Sequence, residues 1–124
     1  MKKLFCFIVL FTLILSACNS TELSIHEIQN VPNKVQDVID SDYTLQLIRD
    51  GKKNAYVTFQ STGTVTANLE VIENILNINI NSETEENNEL KQNVFKLTRG
   101  NAEYDTINVL VNGKDTPFDN ATGF

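Results

Sequence analysis

The feature that most constrains the fold of this chain is the alternation of apolar and polar side chains from residue 43 almost to the C-terminus. Successive side chains of a β-strand point to opposite faces, so this period of two predicts strands with one buried and one wet face. The predicted strands are 43–47, 55–60, 65–71, 76–81, 94–98, 107–111 and 116–118. We expect a mainly β fold, at the margin of α+β.

Turn-forming residues separate the predicted strands. Asp50-Gly51 and Asn112-Gly113 are hairpin signals, and residues 61–63 form a turn that keeps 43–71 in one meander. Pro117 indicates that the last strand lies at a sheet edge, since proline cannot donate to a ladder. Six or seven short antiparallel strands are compatible with a meander, a sandwich or a small barrel, and the pattern leaves all three open.

One or two short helices are expected before the strands, packed on the sheet. Ser24 and Glu27 have the spacing of a capping box, which predicts a helix over 25–30. A second helix is predicted over 32–39, with Pro32 in its first turn. Its apolar side chains recur at helical spacing, so one face is expected to lie on the sheet; they are Val31, Val35, Val38 and Ile39.

The N-terminal segment has the order of a secretory signal. Lys2 and Lys3 precede an apolar run over 4–15, and small residues follow it. The run has about a dozen residues, whereas a helix that crosses a membrane needs about 20. We therefore expect a signal peptide, residues 1–17, to be removed.

The residues Leu15-Ser16-Ala17-Cys18 resemble the lipobox of bacterial lipoproteins. This resemblance implies cleavage between Ala17 and Cys18, diacylglycerol on the Cys18 thiol and loss of Cys6. A diacyl anchor holds a protein stably, while a single chain binds only marginally. The expected organisation is a lipidated N-terminus and linker over 18–22, followed by one domain over 23–124. A plain secretory peptide is the alternative.

Composition limits what the mature protein can do. Removing 17 of the 124 residues leaves 107, enough for one small core, and eight basic residues then face sixteen acidic ones, a formal charge of −8. This charge argues against nucleic acid as a partner and against adhesion to anionic lipid by charge. With Cys18 acylated, neither a disulfide nor thiol catalysis is expected.

Individual residues that could carry chemistry have simpler structural interpretations. His26 is the only histidine and lies in the predicted first helix, so we expect a structural or exposed residue. The acidic stretch over 83–89 lacks the glycine of a calcium loop and is interpreted as a solvated loop. Asp115 and Asp119 are expected only to shape the last turn. We predict no metal, cofactor or catalytic residue.

A polar face of the predicted sheet is the candidate binding surface. Amides, hydroxyls and one ring on alternate positions suit a glycan or an extended peptide, although antiparallel sheets commonly keep one face wet. The residues of this face are Tyr56, Thr58, Gln60, Thr66, Asn68, Asn77 and Asn79.

The C-terminal part of the chain adds a second resemblance. Residues 94–98, 104–109, 112–113 and 116–120, together with 57–69, are similar to small lipoproteins of Gram-positive bacteria, some labelled peptidyl-prolyl isomerase. The label implies rotation about X-Pro bonds, a step that needs an apolar pocket rather than a nucleophile. Motifs of the cyclophilin, FKBP and parvulin families are absent from the sequence.

Three functional hypotheses follow. The first is a membrane-anchored extracellular lipoprotein that acts as a non-catalytic accessory or binding module for an envelope or secreted protein, through a sheet face or edge. The second is an isomerase-like foldase of the envelope, and the third is a carrier of a soluble ligand. A deep pocket lined by Phe59, Phe95 and Tyr43 would favour the second or third, and a filled core with a flat polar sheet the first.

Overall fold

The computed structural model describes residues 23–51, 53–86 and 88–124. The predicted signal peptide, Cys18 and the linker lie outside these residues. The elements in chain order are β1 (Ser24–Glu27), α1 (Asn33–Gln36), β2 (Leu45–Asp50), β3 (Asn54–Ser61), β4 (Val65–Ile72), β5 (Ile75–Ser82), β6 (Lys91–Thr98), β7 (Thr106–Val111), β8 (Lys114–Asp115) and β9 (Asn120–Gly123).

The strands form two sheets that face each other across a shared core. The first sheet has the order β1-β6-β3-β2-β9, and the second has the order β4-β5-β7-β8. Two of the seven strand pairings, β2 with β9 and β5 with β7, are parallel, and the others are antiparallel. The mainly β prediction is confirmed, and of the three architectures left open, the described strands adopt the sandwich.

Inward-facing side chains of both sheets fill the space between them. The first sheet contributes Leu45, Leu47, Val57, Phe59, Phe95 and Leu97, and the second contributes Val65, Leu76, Ile78, Ile80 and Val109. Every one of these side chains is buried. The alternation predicted from the sequence therefore places its apolar positions in one core, where burial supplies most of the driving force for folding.

A second, smaller core lies on the outward side of the first sheet. Val35 of α1 packs there against Ile48, Tyr56 and Val94. The flanking apolar residues also pack on this cluster; they are Ile28, Val31, Val38 and Ile39. The prediction that the apolar face of residues 31–39 lies on a sheet is confirmed, although regular helix spans only Asn33–Gln36.

The helix predicted over 25–30 is wrong, because Ser24–Glu27 form an edge strand that pairs with β6. Leu23 and Ile25 also alternate with polar residues, so this segment fits a strand as well as a capping box. Pairing with β6 satisfies backbone groups that β6 would otherwise leave open, and Ile25 joins the inter-sheet core. Tertiary contacts thus outweigh the local helix signal.

The strand count and the last two connections also differ from prediction. The structure describes nine strands rather than six or seven, and the strand predicted over 116–118 is replaced by β8 and β9 on either side of it. The meander predicted over 43–71 is broken at residues 62–64, where the chain crosses to the second sheet. Gly63 permits this crossover because a Cβ there would collide with the backbone of Glu83.

Candidate functional site

The seven residues predicted to form one binding face lie on two different sides of the molecule. Tyr56, Thr58 and Gln60 are on the outward side of the first sheet, beneath the segment that contains α1. Tyr56 is 4% exposed and Thr58 is fully buried. Gln60 donates to the carbonyl oxygen of Ser41 at 2.9 Å and to Oε1 of Gln92 at 3.0 Å. The prediction of a single face is wrong for these three residues.

The other four residues share the outward side of the second sheet. Thr66 and Asn68 of β4 lie beside β5, where Asn79 is the direct partner of Asn68. The parallel neighbour β7 adds Asn108 opposite Asn77. We call this surface the asparagine face; its residues are Thr66, Asn68, Asn77, Asn79, Asn81 and Asn108. All six are exposed or half-buried, and none is covered by another described segment.

The asparagines form two cross-strand pairs. Nδ2 of Asn79 donates to Oδ1 of Asn68 at 3.0 Å, and Nδ2 of Asn108 donates to Oδ1 of Asn77 at 3.3 Å. A side-chain amide has two donor hydrogens and one acceptor oxygen with two lone pairs. Each pair therefore holds its side chains in place while leaving hydrogen-bonding capacity directed at solvent.

The free edge of β4 borders the asparagine face. In the described sheet order β4 pairs with β5 only, and β1, the edge strand of the first sheet, lies near β4 without pairing with it. Glu73 and Asn74 have φ values of 49° and 67° and form a two-residue turn, which makes Ile72 and Ile75 a hydrogen-bonded pair. By alternation from that pair, the backbone groups of Ala67 and Leu69 point away from β5. This edge can accept an additional extended strand.

A second surface, the cationic cleft, lies where the sheets open at one end of the sandwich. Its volume is about 410 Å³. Three cations, Arg49, Lys53 and Arg99, and one carboxylate, Asp105, line it, together with a floor formed by Ala55, Leu97 and Ile107. The only ion pair among the described residues joins Lys34 and Asp50 at 2.9 Å. The three cleft cations therefore form no ion pair with Asp105 or with any other described carboxylate, and they outnumber the carboxylates of the cleft lining by three to one.

Arg99 organises the wall of the cationic cleft. Its guanidinium donates to the carbonyl oxygens of Ala102 and Tyr104, both at 3.0 Å, and lies 4.3 Å from the centre of the Tyr104 ring. Burial raises the pKa of the Tyr104 phenol above 10.0, while the positive charges of Arg99 and Arg49 act in the opposite direction. Tyr104 therefore stays a neutral, hydrogen-bonding group at neutral pH.

The cationic cleft was not predicted from the sequence. Arg49 is the penultimate residue of β2, Lys53 lies in the turn before β3, and Arg99 follows β6. No sequence pattern indicates that Arg99 lies near Arg49 and Lys53, which precede it by up to fifty positions. The available signal is only that each lies within two residues of Gly51 or Gly100, and chain reversals of this kind cluster at the ends of a sandwich.

The remaining candidate residues occupy separate places. His26 is exposed on β1 beside Lys96 of β6. Oδ2 of Asp119 accepts hydrogen bonds from the backbone N–H groups of Thr44 and Leu45 at 3.1 and 3.0 Å, so it holds the start of β2 against the segment before β9. Asp115 is exposed on β8.

The acidic stretch is exposed wherever the structure describes it, over 83–86 and 88–89. Glu85 binds the side chain of Asn88 within this stretch. Within the described ranges, no group of three or more His, Cys, Asp or Glu side chains could hold a metal ion. No described helix is long and apolar enough to span a membrane.

The three aromatic residues considered for a proline pocket do not meet. Phe59 and Phe95 are 7% and 3% exposed in the inter-sheet core, whereas Tyr43 is 37% exposed outside it. The space between the sheets is filled by side chains at this level.

Comparison with known proteins adds no relative: no family model, no curated protein and no solved structure gives a significant match to the chain. The functional argument therefore depends on the sequence and the geometry alone.

Proposed function

We propose that this protein is an extracellular lipoprotein held on the cell membrane by diacylglycerol on Cys18, and that its β-sandwich is a non-catalytic binding module of the cell envelope. The sequence Leu15-Ser16-Ala17-Cys18 supports the anchor. The partner is an envelope or secreted protein, and no nucleic acid is involved because the mature chain is acidic.

The observation that carries the binding proposal is the asparagine face next to the free edge of β4. An extended segment of the partner adds to β4 through the backbone groups of Ala67 and Leu69. Alternate side chains of that segment then lie beside Thr66 and Asn68, and the hydrogen bond from Asn79 keeps the Asn68 amide oriented. Preorganised side chains lose little conformational freedom on binding, which favours affinity.

Site-specific photo-cross-linking in cells that make the full chain tests this interface. A photoreactive amino acid at Thr66 is expected to give one discrete adduct whose partner is identified by mass spectrometry. The matched control is Asn33, which is exposed on the opposite side of the molecule. Equal adducts from both positions, or none from Thr66, would contradict the proposed interface.

The anchor has its own test. Cys18→Ser is expected to abolish incorporation of labelled fatty acid and to leave the chain uncleaved or released, because serine lacks the thiol that receives diacylglycerol. Cys6→Ser is the control and is expected to keep the label. Label retained in Cys18→Ser refutes the lipobox assignment.

The isomerase alternative stays a prediction of the sequence resemblance. The positions of Phe59, Phe95 and Tyr43 do not support it, since no described cleft contains all three. A refolding assay limited by proline isomerisation decides the question. Acceleration by the protein would overturn the non-catalytic proposal, whereas an unchanged rate supports it.

A further inference from the structure

The N-terminus of the described chain leaves the sandwich at the end that carries the cationic cleft. Ser24 pairs with Thr98, which in turn pairs with Asn54 of the cleft. We call this the tether end; among the described residues it comprises 23–24, 49–51, 53–54, 71–75, 99–106 and 123–124 together with Lys34. The hairpin turn belongs to it because the N–H of Asp105 donates to the carbonyl oxygen of Asn74 at 2.9 Å.

The anchor cannot be far from the tether end. Cys18 precedes Leu23 by five residues. A chain spans at most about 3.6 Å per residue, so the two are separated by no more than about 18 Å. If Cys18 carries diacylglycerol, the tether end faces the bilayer.

Large apolar side chains are exposed mainly at the tether end. Val71, Ile72 and Ile75 at the β4–β5 hairpin are 43%, 48% and 37% exposed, and Phe124 is 56% exposed. Only Tyr43 and Leu90 share this character elsewhere in the described chain. Clustered exposure of apolar side chains marks surfaces that contact a partner or a membrane.

The two ends of the sandwich also differ in net charge. At the tether end four described cations balance four carboxylates: Lys34, Arg49, Lys53 and Arg99 against Asp50, Glu73, Glu103 and Asp105. At the opposite end nine carboxylates face two lysines: Glu27, Asp40, Asp42, Glu83, Glu85, Glu86, Glu89, Asp115 and Asp119 against Lys91 and Lys114. The strongly acidic end is therefore the one directed away from the anchor.

We propose that the tether end is a membrane-contact surface, which rests on the anchoring proposed above. Val71 and Ile72 enter the headgroup region, and the cationic cleft takes the phosphate of an anionic phospholipid in the leaflet that holds the Cys18 lipid. Arg49 and Lys53 supply donors without a carboxylate partner, and the apolar floor of the cleft suits the adjoining glycerol and ester groups. The overall negative charge does not prevent this contact, because it is concentrated at the far end.

Because the protein is tethered to the membrane, even a weak contact between the tether end and the lipid is sufficient to orient it. Once the Cys18 lipid is inserted, a short linker makes the contact of the tether end with the headgroups an intramolecular event, at an effective concentration in the millimolar range. An intrinsic dissociation constant of about 1 mM is then enough to keep the contact formed about half of the time. The contact orients the sandwich, with the asparagine face sideways and the acidic end outward.

Fluorescence of the mature acylated protein in vesicles tests this surface. Ile72→Cys carries an environment-sensitive dye, and Thr64→Cys at the acidic end is the matched control; acylation leaves no other reactive thiol. On phosphatidylglycerol–phosphatidylcholine vesicles we expect a blue shift and protection from an aqueous quencher at Ile72→Cys only. Equal emission at the two positions would overturn the proposal.

Charge variants examine the headgroup contact. Arg49→Gln with Lys53→Gln is expected to lower the docked-to-free ratio about 30-fold, since each basic residue near an anionic surface contributes about fivefold. Glu73→Gln, which removes a carboxylate from the hairpin turn, is expected to raise it. Equal docking on pure phosphatidylcholine, whose headgroup has a phosphate but no net charge, would overturn the assignment to an anionic phospholipid. Loss of docking in inorganic phosphate, but not in chloride at the same ionic strength, would assign the cleft to a free anion instead.

Mass spectrometry of the same sample separates the two proposals. A protein with diacylglycerol on Cys18 whose Ile72→Cys dye remains in water refutes the membrane contact and leaves the anchor standing. A protein without diacylglycerol refutes the anchor, and the membrane contact with it.

Discussion

The outward sides of the two sheets both carry polar side chains in their central strands, but their surroundings differ. In β3 the outward positions are Tyr56, Thr58 and Gln60, and in β5 they are Asn77, Asn79 and Asn81. The first set lies beneath residues 28–39 and is largely buried, whereas the second set remains open to solvent. A polar outward pattern thus defines a binding surface only where no other part of the chain covers it.

Gln46 shows how the covered side accommodates polar groups. Its fully buried amide donates to the carbonyl oxygen of Asp40 at 2.8 Å and accepts from the N–H of Asp40 at 3.1 Å. This side chain ties the segment after α1 to the sheet. On the uncovered side, by contrast, the asparagines bind each other.

Loss of apolar packing is expected to give the largest difference in free energy of unfolding between the two sides. Ile48→Ala on the covered side is expected to lower the free energy of unfolding by about 2–5 kcal/mol, because Ile48 is fully buried against Val35 and Tyr56. Thr66→Ala on the open side is expected to change it by no more than about 1 kcal/mol. Urea unfolding measures both, and similar losses would show that the second sheet is also covered.

The amide of Gln46 is expected to have the next largest effect. Gln46→Ala removes both bonds to Asp40 and leaves the Asp40 N–H without its partner, while the Asp40 carbonyl oxygen keeps the bond from the N–H of Tyr43, so we expect a loss of about 1–3 kcal/mol. Gln60→Ala, which removes a half-buried amide, is the control and is expected to cost less. Urea unfolding measures both variants. If Gln60→Ala lowers the free energy of unfolding as much as Gln46→Ala does, the bonds from Gln46 to Asp40 contribute no more than those of a half-buried amide.

Substitution of Thr58 by an apolar residue is expected to stabilise the fold. Its hydroxyl oxygen is buried without a hydrogen-bond partner in the described structure. Thr58→Val keeps the shape and removes the unpaired polar group, so the free energy of unfolding is expected to rise by about 1 kcal/mol. Thr66→Val, at an exposed position, should stay within about 0.5 kcal/mol of the parent. Destabilisation by Thr58→Val would indicate that the hydroxyl has a partner in solution.

The smallest expected effect is the coupling within the asparagine face. A double-mutant cycle of Asn68→Ala and Asn79→Ala is expected to give a coupling energy of about 0.2–1 kcal/mol, typical of a cross-strand pair. Zero coupling would mean that solvent replaces this hydrogen bond at no cost and that the amides are not held in place.

Much of the fold could be predicted from local sequence. The strands around Val57, Leu69 and Ile78 were predicted from their alternation, and the turn at Asn112-Gly113 from its composition; both residues have positive φ, at 53° and 80°. Ser24–Glu27 was predicted incorrectly, because helix and strand signals overlap over so short a segment and the pairing with β6 decided between them.

The candidate surfaces were predictable only in part. Asn68, Asn77 and Asn79 were recognised as outward amides, since the period of two assigns side chains to faces of a strand. The same rule cannot show which sheet a strand joins, so Tyr56 and Thr58 were assigned to the wrong surface. The cationic cleft depends on contacts between distant turns and left no pattern in the sequence.

The sequence alone determined the strand content, the inward apolar positions and the hairpin turns, because each depends on the chemistry of neighbouring residues. The anchor at Cys18 stays a prediction from the sequence. Only the tertiary structure decided that β4 joins the second sheet, that residues 28–39 cover the first, and that Arg49, Lys53 and Arg99 line one cleft at the end where β1 begins. These features depend on which non-local pairings bury the most apolar surface while satisfying backbone hydrogen bonds, a property of the whole folded chain.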